Sequence, residues 1–97
     1  MGYRLRGMSR IYLDVRTPEE YADGHVPGAR NLDIRSDSFV DDVLALDRAA
    51  SYGVYCHSGG RSQVAVQFML AQGFTDVTDL QTPAAAAASG GHDLVAG

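Results

Sequence analysis

The sequence predicts a single small α/β domain with a central parallel sheet and helices on both faces. Apolar runs of strand length alternate with helix signals in the order β-α-β-α-β-α-β-α, and the connections between them are short. Ile11-Tyr12-Leu13-Asp14-Val15 is apolar enough to be a strand buried on both sides. A chain of 97 residues, 45% hydrophobic, makes one domain, able to bury roughly 60 to 68% of its unfolded surface without staples.

Residues 1–10 are polar and basic without a clear period and read as an N-terminal tail or short edge segment; the domain proper is expected over residues 11–97. Asp14 and Arg16, two apart on an extended chain, would point the same way at the carboxyl edge of the sheet, as a structural polar pair. Thr17-Pro18-Glu19-Glu20 starts a helix, with Thr17 as N-cap, Pro18 at N1 and Glu20 closing a capping box. Asp23-Gly24 ends it, Gly24 being suited to the left-handed position after the last turn. In His25-Val26-Pro27-Gly28-Ala29, Pro and Gly occupy the central positions of a type II turn, and His25 is read as structural. Asn31 to Ile34 alternates as a brief strand. Ser36 or Asp37 would cap a helix whose Phe39, Val43 and Leu46 share one face.

Tyr52 to Tyr55 is the central strand, and a helical run from Ser62 through Val64, Ala65, Phe68 and Met69 stops at Gly73. Asp76 to Leu80 alternates as a last strand. Pro83 and five alanines predict a final helix, with a low-complexity tail as the alternative.

Between the central strand and its helix lies Cys56-His57-Ser58-Gly59-Gly60-Arg61-Ser62. Two glycines allow positive φ, so backbone N–H groups can turn toward one point, and the helix N-terminus adds its positive end. A thiol at that mouth, with Arg61 beside it, should ionise below the free value of about 8.5, in the range of roughly 3.5 to 7.5. Cys56 is therefore the candidate nucleophile. His57 is read as a solvent-facing loop residue, and Ser58 as a hydrogen-bond donor.

The net charge of −4 and the absence of a basic stripe exclude nucleic acid as an expected partner. One cysteine excludes an internal disulfide, and three scattered histidines offer no metal-ligand spacing, so neither metal nor cofactor is expected. No leader pattern and no membrane-length apolar run occur, which points to the cytoplasm and away from the membrane. All eight basic residues are arginine, a composition suited to a GC-rich genome.

Tyr12-Leu13-Asp14-Val15-Arg16, Glu19-Glu20-Tyr21, Gly24-His25-Val26-Pro27-Gly28-Ala29, Cys56-x-Ser58-Gly59-x-Arg61-Ser62 and Gly73-Phe74-x-x-Val77 together resemble a single-domain rhodanese, or thiosulfate sulfurtransferase-like domain, over roughly Ile11 to Leu80. The resemblance implies a bacterial-type sulfurtransferase. Cys56 would take the outer sulfur of thiosulfate or another small sulfane donor as a persulfide, and a thiol, cyanide or a protein acceptor would remove it. The loop from His57 through Ser62 would bind the anionic sulfur, Arg61 would either steer the donor or tie down the loop, and Asp14 and Arg16 would support it.

Four residues separate Cys56 from Arg61, whereas related cell-cycle phosphatases place five there, a wider cradle for phosphate. A non-catalytic or carrier module that relays sulfur or binds a partner is the alternative reading. The chain departs from the family where a Gly-Gly turn and a tryptophan are common: here stand Gln81-Thr82-Pro83 and alanines, a change that bears on substrate choice.

Overall fold

The computed structural model describes residues 10–97; residues 1–9, nearly all of the expected tail, lie outside the described residues. Four strands, β1 (Ile11–Asp14), β2 (Arg30–Asn31), β3 (Ser51–Tyr55) and β4 (Asp76–Gln81), form a wholly parallel sheet in the order β2-β1-β3-β4. Four helices, α1 (Pro18–Asp23), α2 (Phe39–Leu44), α3 (Gly60–Ala71) and α4 (Pro83–Gly90), alternate with them.

Strand alternation splits the core in two. Leu13, Val15, Tyr52, Val54 and Cys56 face α2 and α3 and pack with Phe39, Val43, Leu46, Ala65, Val66, Met69 and Phe74. On the other face Tyr55 packs with Val26, Ala29, Ala86 and Ala87, flanked by Tyr12, Tyr21 and Leu80. Helices thus cover both faces, as predicted.

The alanine run is helix, and it does have a packing face: Ala86 and Ala87 are buried, their small side chains letting α4 lie close to the sheet. Gly53 serves the same face, since a Cβ there would stand 2.5 Å from Leu80 Cδ1. The turn before β2 is as read, with Gly28 at φ +79° and Ala29 N–H donating to Val26 O.

Several boundaries differ from expectation. Gly24 has φ 164°, extended and not left-handed; it places its carbonyl toward Arg16 Nη2, which donates to it at 2.7 Å. The second strand is Arg30–Asn31; beyond it Leu32 and Ile34 N–H still donate to Asp14 O and Val15 O, and the chain turns from Ile34. Neither Ser36 nor Asp37 is the N-cap of α2: Ser38 is, and its hydroxyl donates to Asp42 while Ser36 Oγ accepts from Ser38 N–H. Helix α3 begins at Gly60, two residues before Ser62, because Gly59 alone takes the left-handed turn, at φ +105°.

Candidate active site

Parallel strands bring Asp14, Cys56 and Gln81 to one edge, where β1, β3 and β4 end. Cys56 is the first residue beyond β3, and its N–H donates to Gln81 O at 3.1 Å. Its thiol turns inward, leaving the residue 1% exposed. Gly59 N–H lies 3.0 Å from Sγ, and Sγ lies 3.6 Å from Ser62 Oγ. Burial alone would raise the thiol pKa; the Ser62 hydroxyl and the amides of Ser62, Gly59 and Ser58 outweigh it, and the thiol is lowered from its ordinary value. The direction is the expected one and comes from loop amides, as expected, with the Ser62 hydroxyl added.

Arg61 does not face the sulfur as its partner. Its Nη1 and Nη2 donate to Glu20 Oε1 and Oε2 at 2.8 and 3.0 Å. Glu20 also accepts Thr17 N–H, and Thr17 Oγ1 accepts Glu20 N–H, so the predicted capping box is present. One carboxylate thereby both caps α1 and pairs with Arg61. The Arg61 hydrogen bond, with the Thr17 amide, pulls the Glu20 carboxyl down to about 2.

Asp14 and Arg16 form the expected pair beneath this. Arg16 Nε and Nη2 grip both Asp14 oxygens, at 3.0 and 2.7 Å, with residue exposures of 0 and 5% for Asp14 and Arg16. Burial works against the Arg16 charge, but the Asp14 hydrogen bond prevails and its pKa is raised. Asn31 Nδ2 donates to the carbonyls of Asp14 and Arg16, holding that corner.

Two clefts flank the loop. One, of about 390 Å³, is lined by Ser58, Gly59, Gly60, Gln63, Asp79 and Gln81; the other, of about 360 Å³, runs past His57, Arg16, Thr82, Pro83, Ala84 and Leu94. The segment that departs from the family motif, Gln81 to Pro83, therefore walls both. His57, Ser58 and Gly60 are exposed at the rim, as read for His57. His25 is structural as read, its Nδ1 2.8 Å from Tyr21 O and its ring stacked on Tyr21.

Sequence reasoning missed Glu20 as a loop anchor and Asp79 altogether. Asp79 Oδ1 accepts the Ser62 hydroxyl at 2.7 Å and Gln81 N–H at 3.0 Å. A signal existed: Asp79 alternates with Val77, so a carboxylate sits on the strand face that packs toward the Cys56 core. Between Val54 and Tyr55 the β3–β4 register shifts by one residue, and Gln81 takes φ +72°. That bulge aims Asp79 and the Gln81 carbonyl at the loop. Among the described residues no group of acidic, histidine or cysteine side chains could hold a metal ion, and no helix is long and apolar enough to cross a membrane.

Comparison with known proteins agrees with this architecture. The rhodanese-like domain family model matches residues 4–82. Thiosulfate sulfurtransferase GlpE of Pseudomonas paraeruginosa is 39% identical over 77 residues, covering 79% of this chain and 68% of the relative. GlpE of Pseudomonas fluorescens is 38% identical over 76 residues, covering 78% and 68%. Among solved structures, an Escherichia coli protein described as rhodanese with anions superposes with a TM-score of 0.75 at 27% identity, over 92% of this chain and all of that one. The Rhodanese_3-like domain of an Anabaena protein gives 0.76 at 28%, over 91% and 93%. With the family model matched over most of its length and the cysteine loop seated at the carboxyl edge of the sheet, the chain belongs to the rhodanese-like domain family.

Proposed function

We propose that the protein is a rhodanese-type sulfurtransferase in which Cys56 carries sulfur as a persulfide between a small anionic donor, such as thiosulfate, and a thiol, cyanide or protein acceptor. The observation that carries this is the Gly59 N–H at 3.0 Å from a thiol whose pKa is lowered by its own loop.

In the first half-reaction the Cys56 thiolate attacks the outer sulfur of thiosulfate. The new Sγ–S bond forms as the old S–S bond breaks, and sulfite leaves with the electron pair. In the second, a thiolate or cyanide attacks the outer sulfur and Cys56 leaves as thiolate. The loop suits both steps. The first turn of α3, which follows Cys56 by four residues, leaves amides without intrahelical acceptors, donors suited to a terminal persulfide sulfur that bears the charge. The lowered thiol is also the better leaving group. A lone thiolate of this kind fits the reducing cytoplasm of a bacterium.

Intact-protein mass spectrometry tests this. Incubation with thiosulfate should add about 32 Da, one sulfur, to Cys56, and a thiol or cyanide chase should remove it. Cys56→Ser should fold normally, take up no sulfur and lose turnover. Turnover near wild type in that variant, or a folded wild type that gains no sulfur from any sulfane donor, would sink the assignment and leave a binding module.

A further inference from the structure

We propose that Asp79 is a positioning residue that holds the hydroxyl proton of Ser62 away from Cys56, keeping the thiolate basic and therefore nucleophilic. The proposal rests on the reading of Cys56 as nucleophile.

Ser62 is fully buried, so its single hydroxyl proton must go to a protein acceptor. Three are in reach: Asp79 Oδ1 at 2.7 Å, Gly59 O at 3.2 Å and Cys56 Sγ at 3.6 Å. The carboxylate is nearest, and a charge-assisted O–H···O⁻ bond is roughly twice as strong as a neutral one. The proton therefore points to Asp79, and Ser62 Oγ turns a lone pair to the sulfur. That arrangement accepts the S–H bond of the thiol and gives the thiolate less than an unengaged hydroxyl would, so Asp79 tempers the lowering that Ser62 produces. When Cys56 ionises, its proton goes to solvent, and the Ser62 proton stays nearer Asp79 than the sulfur.

The other charges around the sulfur are largely balanced. Arg61 from the loop is closed on Glu20 from α1, Arg16 is closed on Asp14 at the end of β1, Asp33 acts on Arg61, and His57 stands exposed at the rim. Asp79 contributes the carboxylate bound to the same hydroxyl that the sulfur contacts. Its chemical purpose follows from thiol reactivity. Ionisation gains from a low pKa but nucleophilicity falls with it, with a Brønsted slope of about 0.4 to 0.5, so a loop of amides needs a counterweight.

The test is a pH titration of Cys56 by thiolate absorbance and by iodoacetamide alkylation, which needs no sulfur transfer. Asp79→Asn keeps an oxygen for the Gln81 amide, and Asp79→Ser keeps a local hydroxyl acceptor, so the bulge is retained in both. Each should lower the thiol pKa by about one unit, making alkylation about twofold faster one unit below the wild-type pKa, where about fivefold more thiolate meets a roughly threefold weaker nucleophile, and about threefold slower at full ionisation. In a Ser62→Ala background the Asp79→Asn shift should fall below half its size. An unchanged or raised pKa in both variants would overturn the proposal, as would an equal shift with and without Ser62. Sulfur uptake from thiosulfate is scored separately: its absence from wild type alongside the expected titrations would reject the sulfurtransferase reading and leave Asp79's role standing.

Discussion

Two ion pairs flank helix α1, and they differ in what they are made to do. Asp14–Arg16 is buried, spans two residues of sequence and is completed by the Gly24 carbonyl and by Asn31. Glu20–Arg61 is part exposed, with side-chain exposures of 33 and 21%, and spans 41 residues to join α1 to the cysteine loop. The first fixes the corner of the sheet; the second fixes the loop to that corner. Stability and catalysis should therefore separate between them.

The largest effect is expected from the buried pair. Asp14→Ala leaves the Arg16 guanidinium buried with the Gly24 carbonyl as its remaining partner, which should cost about 3 to 5 kcal/mol. That is a large part of the roughly 5 to 15 kcal/mol available to a domain. Urea unfolding measures it. Replacing both residues by leucine should cost less than Asp14→Ala alone, since no charge is then stranded. A loss under about 1 kcal/mol for Asp14→Ala would erase the distinction between the pairs.

The exposed pair should show the reverse pattern. Arg61→Ala should cost only about 0.5 to 1 kcal/mol of stability, while a loosened loop should lower kcat/KM by about ten- to hundredfold. Because the guanidinium is engaged with Glu20, the loss should be similar for thiosulfate and for a neutral persulfide donor. A loss confined to the anionic donor would return Arg61 to a steering role. Glu20→Ala should reproduce the loss, and the double variant should lose little more than either single one.

The contrast also explains what was legible in the sequence. The Thr17–Glu20 capping box, the Pro27-Gly28 turn and the Asp14/Arg16 pair are local, set by residues two to four apart whose geometry the backbone dictates. The two-faced sheet follows from strand alternation. What escaped is held across distance. Glu20 advertises its capping role and nothing in its neighbourhood announces Arg61; Asp79 meets Ser62 only through the β3–β4 register and its bulge. The start of α3 at Gly60 and the cap of α2 at Ser38 escaped for a smaller reason, since adjacent glycines and serines compete for one role. Cys56 itself was legible as nucleophile candidate because its loop is contiguous.

The smallest effect, and the sharpest probe of the second pair, is its pH dependence. Glu20 is held near 2, against about 4.5 unperturbed, first by the Arg61 hydrogen bond and then by the Thr17 amide. A carboxyl depressed in the folded state contributes its stability above the unfolded pKa and loses it as pH falls through the folded one. The contribution should thus be complete above about pH 5 and drain away between about pH 4.5 and 2. Because a third of the Glu20 side chain is exposed, solvent screening limits it to about 1 kcal/mol. Urea unfolding of wild type and Glu20→Gln should differ by that amount near neutrality and converge toward about pH 2, with added salt narrowing the gap at neutral pH. A gap that persists undiminished at low pH would mean that Glu20 acts through packing and its cap alone, and the loop would then owe its position to Gly59 and Ser62.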